Sequence, residues 1–258
     1  MPRVTDYDSI SSQYDRRYQG QEYPGIERTL FTFLGDNSKG NVLEVGCGTG
    51  HWLKLLGARV GFLTGLDLSA NMLQRAQSTT PDTPLVRGRA EALPYLSRCF
   101  DRLFCLNAFH HFTDKPAFVA EARRVLRENG GLMVVGLDPH TGCNRWWVYD
   151  YFPETVELDR QRYPSTTEIR ADMIQIGFSC CETTVAEHLT LHIPARAAIE
   201  RGLLAQSYSS QLTILSTQEY QAGMIRITHA IDATKAAGEE LILVADLRLY
   251  ATIGWVDH

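Results

Sequence analysis

The first half of the chain alternates between short apolar runs and longer stretches with helical spacing. The longer stretches repeat apolar residues at three- and four-residue intervals, which is typical of helices that bury one face. Strands that alternate with helices at this pitch predict a mainly parallel sheet covered by helices on both faces. The apolar runs that predict its strands are Asn41–Val45, Val60–Leu66, Leu85–Val86, Arg102–Leu106 and Leu132–Leu137.

Polar residues and glycines predict where several of these helices begin and end. Ser69 and Asp114 are residues that commonly cap a helix N-terminus through their side chains. Gly130 and Gly131 predict the end of the helix that follows Asp114. A further helix is predicted before the first strand, at Gly25–Leu34.

The second half of the chain follows a less regular pattern. Ser165–Glu168 and Ser216–Glu219 have the form of capping boxes and predict two helix N-termini. Alternating apolar positions at Cys180–Ile193 and Leu241–Ile253 predict two strands. Two long segments, at about 138–164 and 195–238, interrupt the alternation of strands and helices. Inserts at the strand ends of an α/β sheet commonly build a ligand pocket.

Composition and charge narrow the classes of protein that fit this pattern. Of 258 residues, 44% are hydrophobic and 21% charged, as in an ordinary globular protein. The formal net charge is −5 and the basic residues are scattered, so we expect no nucleic-acid partner. Six cysteines without a C-x-x-C pair predict a reduced chain with no metal site. The N-terminus lacks a signal-peptide core and no apolar run reaches membrane-spanning length, which predicts a cytoplasmic protein without membrane insertion.

A glycine-rich loop follows the first predicted strand and opens a helix. Gly46, Gly48 and Gly50 permit a tight turn and a close approach of the backbone to a ligand. Asp67 ends the next strand, where a carboxylate can bind a ribose diol. Glu44 stands just before the loop and disfavours a pyrophosphate, so the pattern favours a nucleoside with an amino group and no phosphate. A strand–turn–helix junction without a ligand would carry the same glycines.

Five motifs occur in order over residues 40–137: V-L-E-V-G-C-G-T-G, G-L-D-L-S, R-A-E-A-L-P, F-D-R-L-F-C-L-N-A-F-H-H-F and L-R-E-N-G-G-L-M-V-V. Together they resemble the class I S-adenosylmethionine-dependent methyltransferases, and most closely the small-molecule type 11 group. The resemblance implies S-adenosylmethionine as the cofactor and a Rossmann-like, doubly wound, seven-stranded sheet with an antiparallel C-terminal hairpin. We predict a single methyltransferase domain over residues 1–258, with a cofactor-binding core at about 35–137. Helical substrate cap inserts are predicted at about 138–164 and 195–238.

The resemblance also implies roles for individual residues. Glu44 corresponds to a residue near the amino group of the methionine moiety, and Asp67 to one that binds the ribose hydroxyls. Arg89 stands where the family commonly has an aspartate that contacts the adenine amino group, so either Glu91 or backbone contacts would replace it. The predicted cofactor contacts are Tyr14, Glu44, Gly46, Cys47, Gly48, Gly50, Asp67, Leu68, Met72, Ala90, Glu91 and Asn107.

Two histidines follow the fourth predicted strand, at the edge of the sheet where this fold opens to its ligand. Methyl transfer is an in-line displacement, which needs a general base when the acceptor is a hydroxyl or an ammonium group. His110 and His111 are the candidate catalytic residues, because histidine titrates near neutrality. In the alternative, one histidine orders the loop and the other packs on the cofactor.

Candidate substrate residues occur in both inserts. The aromatic run Trp146–Phe152 could wall an apolar acceptor pocket or pack as core beneath a lid. Arg160 and Arg162 could clamp a carboxylate or phosphate, or lie on a solvated helix face. The stretch Gln206–Ser210 resembles one in relatives that act on small carboxylic acids. The candidate substrate residues are Trp146, Trp147, Tyr151, Arg160 and Tyr208.

The sequence therefore predicts an S-adenosylmethionine-dependent methyltransferase that acts on a small molecule, with oxygen as the expected acceptor atom. A tRNA or protein methyltransferase is an alternative, as is a catalytically inactive S-adenosylmethionine-binding regulatory protein. Arsenite S-methylation would require Cys143, Cys180 and Cys181 to converge near the cofactor.

Overall fold

The computed structural model describes residues 23–36, 39–57 and 59–257, so the predicted cofactor contact Tyr14 lies outside the described residues. The strands are β1 (Asn41–Val45), β2 (Phe62–Asp67), β3 (Leu85–Arg87), β4 (Phe100–Leu106), β5 (Leu126–Leu137), β6 (Arg145–Trp146), β7 (Ser179–Pro194) and β8 (Ile242–Trp255). The helices are α1 (Pro24–Leu34), α2 (His51–Leu56), α3 (Ala70–Thr79), α4 (Lys115–Val125), α5 (Trp147–Tyr151), α6 (Glu154–Arg162), α7 (Thr166–Ile176), α8 (Ala195–Glu200), α9 (Ser210–Thr213) and α10 (Thr217–Ala236). A 3₁₀ turn spans Phe109–His111.

The strands form one sheet whose order confirms the predicted architecture. The order is β3-β2-β1-β4-β5-β8, and β7 pairs with β8. Strands β1 to β5 run parallel, whereas β8 is antiparallel to both β5 and β7. The two-residue strand β6 also pairs with β8 and was not predicted. Because the chain order reverses between β1 and β4, the carboxyl ends of these two strands border the crevice where such folds bind ligands.

Two hydrophobic layers cover the sheet because its strand residues alternate in direction. On β5, Met133 and Val135 pack in one layer, and Leu132 and Val134 pack in the other. Helices α1 and α2 supply the first layer, and α4 and α7 supply the second. A third cluster joins α5, α8, α9 and α10 around the buried Trp147. Both predicted inserts thus pack against each other.

The end of α4 differs from its predicted position. Gly130 and Gly131 predicted a helix that ends there, but α4 ends at Val125. Leu126 is fully buried and already pairs with Phe100 of β4, so the chain has entered the sheet before it reaches the glycines. The glycines instead lie within the irregular start of β5, where a side chain at Gly131 would meet the ring of Trp255 at 2.8 Å.

The helix α10 contains Gly223 in its interior, where alanine would ordinarily stabilise a helix by about 1 kcal/mol. A Cβ at this position would lie only 2.1 Å from the ring of the fully buried Phe152. We therefore expect Gly223→Ala to lower the free energy of unfolding by ~1–3 kcal/mol, measured by urea denaturation. Gly57→Ala is the matched control, because its Cβ makes an ordinary 3.6 Å contact. A Gly223→Ala protein as stable as the control would contradict this packing.

Candidate active site

The glycine loop between β1 and α2 adopts a backbone that side chains rarely tolerate. Gly46, Gly48 and Gly50 have φ values of +76°, +53° and +81°. A Cβ on Gly46 would lie 2.4 Å from the Cβ of Ala108, which belongs to the segment after β4. Cys47 is buried, and its side chain points toward Gly65 in the core. Cys47 could therefore contact a ligand only through its backbone atoms.

Asp67 links the end of β2 to this loop. One carboxylate oxygen accepts a hydrogen bond from the backbone N–H of Gly48 at 2.8 Å. The other accepts from the N–H of Ser69 at 2.9 Å, at the start of α3. The half-buried carboxylate is thereby fixed at the edge of the crevice, where the sequence predicts the ribose contact.

Glu44 is a buried carboxylate that lacks a complete set of partners. Its side chain is 1% exposed, and its Oε2 has no hydrogen-bond partner among the described residues. Burial, and then the negative charge of Asp67, raise the pKa of Glu44 well above its usual value. A buried carboxylate is costly unless a cation or donor pairs with it. The amino group of S-adenosylmethionine supplies such a partner, so this position fits the cofactor.

The predicted adenine side of the crevice contains one unusually exposed apolar residue. Leu68 directly follows Asp67 and is 61% exposed, whereas Met72 and Ala90 are buried. An exposed leucine beside buried apolar neighbours offers a surface on which a flat ring can pack. Glu91 is engaged elsewhere, because its Oε1 accepts from the backbone N–H of Thr113 at 2.7 Å. Its predicted adenine contact therefore remains a prediction.

The segment after β4 brings Asn107 and His110 to the same edge of the sheet. Asn107 has a φ of +51°, a strained value, and its N–H donates to the carbonyl of Val135 at 2.8 Å. His110 is buried, and its Nε2 lies 3.0 Å from the Oη of Tyr163. The two rings stack with centroids 3.9 Å apart. His111 is half-buried, with its ring 3.8 Å from that of His110.

A cavity of about 210 Å³ lies beside Asn107 and His110. Of the predicted substrate residues, Trp146, Trp147 and Tyr208 line it. Tyr151 and Arg160 are not among its lining residues, and Arg160 is exposed on α6, as its solvated alternative requires. The lining residues are Tyr23, Asn107, His110, Leu137, Trp146, Trp147, Tyr163, Leu189, Thr190, Leu191, Leu203, Tyr208, Ser209, Ser210, Gln211, Ala245, Leu247 and Leu249.

A chain of buried polar residues that runs from the wall of this cavity to Asp159 and Arg162 was not predicted from the sequence. The amide of Gln211 donates to the Oη of Tyr163 at 3.1 Å, and burial raises the pKa of Tyr163 to about 12. Asp159, fully buried, accepts from the hydroxyl of Tyr149 at 2.8 Å and pairs with Arg162 at 2.6 Å. The sequence signal that could have indicated this chain is the close spacing of Asp159, Arg162 and Tyr163 at the end of α6.

The thiols that arsenite methylation would require do not converge. The carbonyl of Cys143 accepts from Arg248, whereas Glu182, next to Cys181, pairs with Ile253. Residues 248 and 253 of β8 are separated by about 17 Å of extended strand. Across the described part of the chain, no group of three His, Cys, Asp or Glu side chains is arranged to hold a metal ion.

An α/β sheet with a glycine loop, an acid before it and an acid at the end of β2 is typical of folds that bind nucleosides. A family model described as a methyltransferase domain matches residues 43–135. The chain is 30% identical over 156 residues to demethylmenaquinone methyltransferase of Thermotoga maritima, covering 58% of this chain and 68% of that protein. It is 31% identical over 158 residues to phthiotriol/phenolphthiotriol dimycocerosates methyltransferase of Mycobacterium leprae, covering 60% and 56%.

The fold also matches a putative methyltransferase from an antibiotic biosynthesis pathway of Anabaena variabilis. The TM-score is 0.68 at 20% identity, over 90% of this chain and 97% of that chain. The chain therefore belongs to the class I S-adenosylmethionine-dependent methyltransferases, which confirms the predicted family, enzyme class and cofactor. None of the helices in the described residues is long and apolar enough to span a membrane.

Replacing Asp67 tests its predicted contact with the ribose of the cofactor. We expect Asp67→Ala to weaken S-adenosylhomocysteine binding by roughly 1.5–3 kcal/mol, because a partly buried charged acceptor is lost. Isothermal titration calorimetry measures the change, with the exposed Asp82→Ala as the matched control. Unchanged affinity in a folded Asp67→Ala protein would remove Asp67 from the cofactor site.

Proposed function

We propose that this methyltransferase transfers a methyl group to an oxygen atom of a small molecule, with His110 as the general base. The observation that carries the proposal is the position of His110, a buried imidazole in the wall of a 210 Å³ cavity beside Asn107. This cavity opens at the carboxyl ends of β4 and β5, the side of the sheet that also carries the glycine loop. Hydroxyl methylation requires a base within reach of the proton of the acceptor hydroxyl while the acceptor oxygen faces the methyl group.

In this proposal the cofactor would supply an electrophilic methyl group. The side chains of the protein orient the acceptor and remove its proton. Asn107 and the cavity walls orient the acceptor, and alignment of the reactants contributes up to ~7–11 kcal/mol in favourable cases. His110 takes the proton of the acceptor hydroxyl. Tyr163 holds the imidazole in place through a hydrogen bond of its hydroxyl and through ring stacking.

The two inserts, at about 138–164 and 195–238, form the substrate cap in this proposal, over a cofactor-binding core at about 35–137. Their residues Trp146, Trp147 and Tyr208 contribute to the cavity wall, which favours the pocket interpretation of these side chains. The two curated relatives carry names that specify acceptors other than a protein or a nucleic acid. The cytoplasmic location predicted from the sequence belongs to the same proposal, and cell fractionation would test it.

Methyl-labelled S-adenosylmethionine tests the acceptor class. The protein is incubated with cell extract divided into small-metabolite, lipid, RNA and protein fractions, and His110→Ala protein is the control. We expect label in the small-metabolite or lipid fraction, on a methyl group that mass spectrometry and NMR assign to oxygen. Label in RNA or protein, or on carbon or nitrogen, would contradict the proposal.

The Tyr163 hydroxyl is expected to act as a positioning group for His110. Tyr163→Phe keeps the stacked ring but removes the hydroxyl, and a bond to a charged imidazolium is stronger than one to the neutral ring. We therefore expect turnover to fall about tenfold, with little change in KM, and the acidic limb of the pH–rate profile to move to lower pH. Tyr95→Phe, which removes a buried hydroxyl outside the cavity, is the control. An unmoved acidic limb would assign Tyr163 a purely structural role.

A further inference from the structure

The cavity beside His110 has walls of two different kinds. The sheet supplies one wall, where Leu189 pairs with Leu247 and Leu191 pairs with Ala245 across β7 and β8. These side chains share one face of the sheet because paired residues on adjacent strands point the same way. The other wall contains His110, Tyr163 and Gln211, which are joined by hydrogen bonds of 3.0 and 3.1 Å.

No aspartate, glutamate, lysine or arginine lines this cavity within the part of the chain that the structure describes. Asp159 and Arg162, which are buried but do not line the cavity, form an ion pair at 2.6 Å, and Nε and Nη1 of Arg162 have no hydrogen-bond partner among the described residues. Arg160, the arginine that the sequence offered as a carboxylate clamp, is exposed. A carboxylate or phosphate that entered the cavity would lose hydration and meet no cationic Lys or Arg side chain among the described lining residues, which is unfavourable.

The volume of the cavity indicates the size of the part of the acceptor that it can enclose. An apolar cavity of about 150 Å³ holds one benzene ring. The cavity here measures about 210 Å³, which leaves room for one ring and a few substituent atoms.

We propose that the acceptor is an uncharged hydroxyl compound with a ring-sized apolar body, such as a monocyclic phenol, and that the cavity excludes carboxylates. This inference rests on the proposed O-methylation and names its substrate class. It departs from the resemblance of Gln206–Ser210 to relatives that act on small carboxylic acids. It also explains why a general base such as His110 lies in the cavity wall, because a neutral hydroxyl must lose its proton during methyl transfer, whereas a carboxylate has already lost it.

In the proposed methyl transfer, the proton of the acceptor moves to His110 and the methyl group moves to the acceptor oxygen. The O–H bond of the acceptor breaks, and its proton moves to His110. The acceptor oxygen forms a bond to the methyl carbon while the S–CH₃ bond breaks, and that electron pair remains on sulfur. The products are a methyl ether, S-adenosylhomocysteine and a protonated His110, which returns its proton to solvent.

Three para-ethyl aromatic probes, two of them matched in shape, separate the effect of charge from that of size. The protein is saturated with S-adenosylhomocysteine, and calorimetry at pH 7.5 measures binding of 4-ethylphenol, 4-ethylbenzamide and 4-ethylbenzoate. The amide and the carboxylate have the same number of heavy atoms but differ in charge. We expect the phenol and the amide to bind at least about tenfold more tightly than the benzoate, since only the benzoate must be desolvated as an anion.

A charge-reversal variant adds a positive test. Leu191→Arg places a cation in the apolar wall, and we expect about a tenfold or larger gain in benzoate affinity. Leu191→Gln, similar in length but uncharged, should give no such gain. Benzoate binding to the unaltered protein as tight as that of the amide would overturn the inference, as would the absence of binding by both neutral probes at millimolar concentration.

Methyl transfer to 4-ethylphenol distinguishes this inference from the proposed function. Transfer to the phenol oxygen from labelled S-adenosylmethionine supports both. Transfer to the benzoate and not to the phenol overturns the neutral-acceptor inference and leaves O-methylation intact. The protein could instead bind the neutral probes tightly but transfer label only to carbon or nitrogen atoms in every extract fraction. That result overturns the proposed O-methylation and still supports a cavity that prefers uncharged ligands.

Discussion

Replacing His110 with alanine is expected to lower turnover by ~10²–10⁴-fold without a comparable loss of cofactor affinity. The reason is that a neutral hydroxyl acceptor keeps its proton unless a base removes it during the transfer. His110 is placed for this role because it is buried in the cavity wall and held by Tyr163 at 3.0 Å. Single-turnover measurements with an identified acceptor would give the chemical rate directly, and calorimetry with S-adenosylhomocysteine would give the affinity.

The neighbouring histidine provides a matched control for this prediction. His111 is half-buried and does not line the cavity, so His111→Ala should cost less than tenfold in turnover. The acidic limb of the pH–rate profile should disappear in His110→Ala and persist in His111→Ala. Added imidazole should restore part of the lost rate in His110→Ala only, because the substitution leaves a space of imidazole size. A loss below tenfold in both variants would leave positioning of the reactants as the whole mechanism.

The predicted cofactor site could be located from the sequence because its residues lie close together along the chain. Glu44, the three glycines and Asp67 occupy one strand, one loop and the end of the adjacent strand, so their spacing along the chain determines their spacing in space. The fold followed from the same local patterns, since alternating strands and helices admit few connections. The S-adenosylmethionine cofactor and the family were confirmed by the comparisons with known proteins.

The cavity beside His110 could not be predicted in the same way because its contacts join distant parts of the chain. Tyr163 contacts His110 across 53 positions and Gln211 across 48. Neither residue stands out in the sequence, since a tyrosine at a helix end and a glutamine in a short helix are ordinary surface choices. Arg160 and Arg162 look equivalent in the sequence, yet the turn of α6 buries Arg162 against Asp159 and exposes Arg160. Which face of a mostly polar helix is buried depends on tertiary packing.

The second large effect is expected at Glu44, where affinity and stability should change in opposite directions. Glu44→Gln removes the buried carboxylate that is predicted to pair with the amino group of the cofactor. We expect S-adenosylmethionine to bind ~2–5 kcal/mol more weakly, because the ammonium group would then lie in the crevice without its counter-charge. Calorimetry measures the change, and the exposed Glu239→Gln is the matched control.

The pH dependence of binding follows from the raised pKa of Glu44 in the cofactor-free protein. A cation that binds beside Glu44 favours the ionised carboxylate and lowers its pKa again, so binding releases a proton over the interval between the two pKa values. Affinity of the unaltered protein should therefore rise with pH until it passes the raised pKa of the free protein. Glu44→Gln has no proton to release, and its affinity should lack this slope. An equal slope in both proteins would mean that another group titrates.

The stability of the cofactor-free protein should respond in the opposite sense. Because the folded pKa of Glu44 exceeds the usual 4.5, the folded protein binds this proton more tightly than the unfolded chain. The resulting stabilisation is fully present below that usual pKa and is lost as the pH rises through the folded pKa. Glutamine stays neutral throughout, so Glu44→Gln should unfold at a higher temperature than the unaltered protein at pH 8 and at a similar temperature at pH 4. A variant that lost both affinity and stability at pH 8 would make Glu44 a structural residue, whereas lost affinity with gained stability identifies a carboxylate kept buried for its ligand.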